Sequence, residues 1–100
     1  MLCEICGREA NATMTYGKVR NVAVCPVCDI KLFNTLSIDP VWLRYNKAFA
    51  ILEALHNRYS SGSTDVTKTD VEFAVDTLHN MSVQLYNVIG QLVEELKNAN

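Results

Sequence analysis

From Val41 to Tyr59, the residues Val41, Tyr45, Ala48, Leu52, Leu55 and Tyr59 recur in alternating steps of four and three. That spacing holds one apolar stripe on the face of an α-helix, and Trp42 and Phe49 widen it. A second stripe repeats in the same way through Val71, Ala74, Leu78, Met81, Leu85, Val88 and Leu92. Asp39-Pro40 offers the first helix an N-cap and a suitable first residue. Thr69 with Glu72 offers the second a capping box. The pattern predicts helices over about 40–59 and 70–97, with Ser60-Ser61-Gly62-Ser63 opening a loop at 60–69. So short a loop makes them antiparallel neighbours, a long α-helical hairpin.

Val75, Ile89, Val93 and Leu96 flank the seam of the longer helix, which is more apolar surface than one hairpin covers. The N-terminal third could cover it. The preferred cover is the hairpin of a second copy, because sustained heptads are the signature of coiled-coil association, so a homodimer is expected. Gly90 inside the helix implies a packing reason, either local or at a close helix–helix approach.

The N-terminal third has another rhythm. Thr13-Met14-Thr15-Tyr16 and Val19 to Val24 are rich in β-branched residues, with Gly17-Lys18 between them. They predict two strands joined by a turn near Gly17. Asp29 to Leu36 then reads as a short helix, its apolar face formed by Ile30, Phe33 and Leu36.

Around these elements lie all four cysteines of the chain, as Cys3-Glu-Ile-Cys6 and Cys25-Pro-Val-Cys28, with eighteen residues between the pairs. Two such clips supply the four soft ligands of a tetrahedral metal, and zinc is the commonest occupant; iron also suits four thiolates. Gly7 directly after the first pair allows the positive φ of a knuckle whose amides point at sulfur. Cys25 and Cys28 fall at a helix start, where the unpaired amides and helix dipole favour thiolate. Knuckle, β-hairpin and ligand-bearing helix make a treble clef. About 36 residues cannot bury enough core to fold alone, so one structural Zn2+ per chain is expected to supply the stability.

Composition narrows the function. Residues 1–36 carry four basic against three acidic side chains, and residues 37–100 five against eight. Neither part has the basic excess that drives nucleic-acid affinity. No apolar run is long enough to span a membrane, and a first ligand at position 3 leaves no room for a signal peptide. A reducing cytoplasm keeps such thiols as metal ligands rather than disulfides. A redox role would want one Cys-x-x-Cys beside a βαβ unit rather than two matched pairs. His56 and His79 stand outside any ligand or catalytic spacing, and Asp70, Glu72 and Asp76 suit the start of a helix. No nucleophile has an activating neighbour and no phosphate loop is present, so no enzyme is expected.

Cys-x2-Cys-Gly with a basic residue, eighteen positions between pairs, Val-Cys-x2-Cys and then an apolar helix resembles the zinc-binding domain of ClpX-type unfoldases over residues 3–36. The resemblance implies a treble clef with Cys3, Cys6, Cys25 and Cys28 as zinc ligands, a module that dimerises and docks adaptors and substrates. No ATPase module follows here, and Pro26-Val27 stand where an acidic residue is usual.

The chain therefore reads as a small α+β zinc finger (1–38) followed by a helical hairpin for dimerisation (39–100), mostly α. The expected role is non-enzymatic: protein–protein interaction as a small cytoplasmic adaptor or regulator of a larger machine, with those of Met14, Tyr16, Val19 and Val22 that face away from the core as candidate contacts. The alternative is a nucleic-acid-binding or transcription-associated regulator, using Arg8, Lys18, Arg20 and Lys31 with Tyr16.

Overall fold

The computed structural model describes residues 1–99. Strands β1 (Ala12–Tyr16) and β2 (Arg20–Val24) are followed by helices α1 (Pro26–Leu36), α2 (Pro40–Ser60) and α3 (Lys68–Asn98). The fold is mostly helical, with the two-stranded antiparallel sheet beside the cysteines. Among the described residues no helix is long and apolar enough to cross a membrane. The molecule is elongated, 53 × 23 × 17 Å.

Ala12 pairs with Val24 and Tyr16 with Arg20. At the turn Gly17 and Lys18 both take left-handed φ, +61° and +59°. Two such residues in succession match the twist of a β-hairpin. Gly17 is needed for a second reason: a Cβ there would come 2.6 Å from Leu85 Cδ2, with Trp42 and Tyr45 also adjacent. The turn thus sits directly on α2 and α3.

Helix α1 begins at Pro26, and its buried residues are Cys28, Leu32 and Leu36. The face expected from Ile30, Phe33 and Leu36 is corrected: Ile30 and Phe33 are 62% and 49% exposed. Cys28 must point inward to join the other sulfurs, and this sets the rotation of the helix. Its i+4 and i+8 partners then enter the core, while Ile30 and Phe33 turn out.

Asp39 caps α2 as expected, its carboxylate accepting from the Val41 N–H at 2.8 Å. The cap of α3 is corrected from Thr69/Glu72 to Thr67/Asp70, where hydroxyl and carboxylate each accept from the other residue's backbone N–H. Helix α3 therefore starts earlier and the loop is shorter than expected. The Thr67 backbone N–H and hydroxyl hold the Asp70 carboxyl below its ordinary pKa. Its contribution is present above the normal carboxylate range and lost as pH falls through the lowered value.

Of the α3 residues expected to need an outside cover, Ile89 and Val93 are buried inside the chain, and Leu96 packs against the same core. Val75 stays exposed. The cover is the finger: Val22, Val24, Leu32 and Leu36 join Leu85, Ile89, Leu92 and Val93 in one continuous core. Gly90 has a local reason. A Cβ there would come 2.5 Å from Nη1 of Arg20, whose guanidinium stacks on Tyr86 at 4.6 Å and donates to the Tyr86 carbonyl.

Gly17→Ala should destabilise the chain by about 2 kcal/mol, through left-handed φ plus a clash with Leu85. Gly62→Ala, at φ +83° but in open space, should cost only about 1 kcal/mol. Urea denaturation of the two variants checks the difference.

Candidate metal centre

The first pair of cysteines lies in a knuckle closed by the Leu2–Glu9 bridge and by Cys3 N–H donating to the Arg8 carbonyl at 2.7 Å. Gly7, at φ +76°, donates its N–H to the Cys3 carbonyl, which is the positive-φ role the sequence assigns to it. Glu4 ties the knuckle to β2: its N–H donates to the Ala23 carbonyl, and its carboxylate accepts from the Ala23 N–H, each at 2.8 Å. The second pair comes from the end of β2 and the first turn of α1, where Cys25 is the N-cap and Pro26 the first helical residue.

This arrangement gathers all four sulfurs within 4.8 Å of one another, as free thiols, three of them buried. Cys6 Sγ and Cys25 Sγ are 3.7 Å apart. Four thiolates about 2.3 Å from a zinc ion would sit about 3.8 Å from each other, so the spacing suits one tetrahedral ion.

The electrostatics fit a cation equally well. Burial opposes ionisation of Cys3, but backbone N–H groups of Cys6, Cys25 and Ile5 outweigh it and bring its pKa to about 6. Cys25 is also lowered, chiefly by the backbone N–H of Cys28. Cys28 is pushed up by burial and by its sulfur neighbours. Preset amides thus favour thiolate at two positions, and crowding resists further negative charge at another. A dication in the middle would remove that resistance. Behind the site, the buried Tyr16 hydroxyl donates to Asp29, the residue after Cys28. Burial first, and then this carboxylate, raise the Tyr16 pKa.

The other candidates are not brought here. His56 and His79 are exposed on α2 and α3. Asp70 serves the cap of α3, and Glu72 lies 3.8 Å from Lys68. Among the basic residues of the finger, Lys18 lies over the Phe49 ring at 5.1 Å and Arg20 over Tyr86; both serve the docking of the finger. Of the four expected contact residues, Tyr16 and Val22 are buried, while Met14 is exposed.

What the sequence reading missed is a cleft of about 340 Å³ beside Met14, walled by Ile30, Phe33 and Trp42. Phe33 meets Trp42 edge to face, with ring centroids 6.2 Å apart. The signal that could have revealed it is the position of Cys28, which sets which side of α1 faces outward.

The open edge of β1 runs along this cleft. The Glu4–Ala23 bonds show that the N–H and C=O of Ala23 point away from β1. Its partner Thr13 is then in a non-hydrogen-bonded pair, as is Thr15 opposite Asn21 two residues on. The backbone groups of Thr13 and Thr15 therefore face outward from the sheet.

No protein-family model, curated protein or solved structure matches the chain. The resemblance of residues 3–36 to the ClpX-type zinc-binding domain thus has no support beyond the arrangement of the four cysteines.

Native mass spectrometry should find one metal of zinc mass per chain, lost on Cys28→Ser. Acidification should release it, since protons compete for the thiolates. A metal-free chain with Cys3–Cys6 and Cys25–Cys28 disulfides would overturn the assignment.

Proposed function

We propose that this chain is a non-enzymatic interaction module of the reducing cytoplasm, an adaptor or regulator that docks a protein partner on its finger. In this reading residues 1–38 form a treble clef around one structural zinc held by Cys3, Cys6, Cys25 and Cys28. Helices α2 and α3 form a helical hairpin that supports it.

The observation that carries the reading is the apolar cleft of Met14, Ile30, Phe33 and Trp42 lying along the open edge of β1. An outward edge offers backbone hydrogen bonds to an extended segment, and pockets for alternate side chains select its sequence. The chemistry that fits is an extended peptide with apolar residues at every second position. A metal-held knuckle suits this work, because it fixes strand and helix without a large core of its own.

Less speaks for nucleic-acid binding. Lys18 and Arg20 are already stacked on rings of α2 and α3, which leaves Arg8 and Lys31 as the free cations of the finger.

Selection of binders from a random peptide library on the zinc-loaded full chain tests the proposal. Selected peptides should alternate apolar residues, perturb the amide resonances of Thr13 and Thr15, and lose at least about 10-fold in affinity to Phe33→Asp. Their affinity should change little with salt. A steep loss of affinity with salt, together with preference for oligonucleotides, would favour the nucleic-acid reading instead.

A further inference from the structure

We propose that a second copy of this chain seats on the groove between α2 and α3, the two copies related by a two-fold axis that lays α2 of one on α3 of the other. The groove, about 580 Å³, is lined by Ala48, Ile51 and Leu55 of α2 and by Phe73, Ala74 and Thr77 of α3. It lies beyond the finger, toward the loop that joins the two helices. As the identity of a partner this extends the interaction-module reading and rests on it for its role, but its geometry is independent of what the finger binds.

Phe73 is 73% exposed, and Ile51 also stands in solvent. An aromatic ring projecting beside an apolar groove gives one face both a knob and a hole. That is the requirement of an isologous contact, in which the same patch serves both partners.

The charges choose the pairing. Arg44, Lys47 and Arg58 lie seven before, four before and seven after Ile51, all on its face of α2. Asp70 and Asp76 lie three residues on either side of Phe73, on its face of α3. The face of α2 that carries Ile51 is therefore basic and the face of α3 that carries Phe73 acidic, although Arg58 already pairs with Asp65 and Asp70 accepts within the α3 cap. Laying α2 on α2 would oppose like charges. Laying α2 on α3 sets unlike charges around the central apolar contact, and the two-fold axis repeats the match.

This is not the stripe that the heptads single out for a second copy. Ile89 and Val93 are occupied by the finger of their own chain, and the groove lies on another flank of the same helices.

Sedimentation equilibrium of the zinc-loaded full chain over a concentration series tests the proposal. The expected result is a dimer that weakens with added salt and with Lys47→Glu. Phe73→Glu should weaken it at least about 30-fold, as for a central aromatic anchor, without change in far-UV circular dichroism. A chain that stays monomeric throughout overturns the proposal. So does a dimer indifferent to Phe73→Glu, or one lost instead on Phe33→Asp, which would place the second copy on the finger cleft. Peptide binding at β1 by a monomeric chain would leave the docking function standing and remove only the dimer.

Discussion

The fold depends on one apolar junction, where the finger lies against the second half of α3. The most deeply buried large side chains are Val22 of β2, Leu32 and Leu36 of α1, and Leu85 and Ile89 of α3. All belong to the same core. Each contributes roughly 2 kcal/mol by leaving water, and none has a full set of neighbours within its own element. The finger has too few apolar residues to fold on its own helix, and α3 has more than α2 can cover. Each part completes the other.

That mutual completion explains what the sequence revealed and what it hid. Local chemistry was legible: paired cysteines at knuckle spacing, Gly7 at positive φ, a turn at Gly17, and Asp39 before Pro40 each act within a few residues. The phase of α1 was not, because steps of three through Ile30, Phe33 and Leu36 compete with steps of four through Cys28, Leu32 and Leu36. Only the inward demand on Cys28 decides between them. The cap of α3 went astray for a smaller reason. Thr67-Lys-Thr-Asp70 and Thr69-Asp-Val-Glu72 both fit the pattern, and the earlier one gives a longer helix. The destination of Ile89 and Val93 was open because apolar periodicity shows that a face must be covered, not by what.

The same junction accounts for the fate of the basic residues. Arg20 reaches across Gly90 to stack on Tyr86, and Lys18 covers Phe49. Their aliphatic stems and charges are engaged in seating the hairpin turn on the helices. With those cations occupied, the outward features of the finger include an apolar cleft and an open strand edge. On the helices they include an apolar groove, with basic side chains along that face of α2 and acidic ones along that face of α3. One chain thus presents two surfaces of different chemistry, both framed by elements that the common core keeps in place.

The link between α1 and α2 is only Ser37, Ile38 and Asp39. It is bonded on both sides: Ser37 N–H donates to the Phe33 carbonyl, Asp39 N–H to the Leu36 carbonyl, and the Asp39 carboxylate accepts from Val41. Such a joint has no slack. Swinging the finger relative to α2 would break these bonds and lift Gly17 off Leu85. The N-terminal part and the helices are therefore joined as one packed body rather than as two beads on a tether.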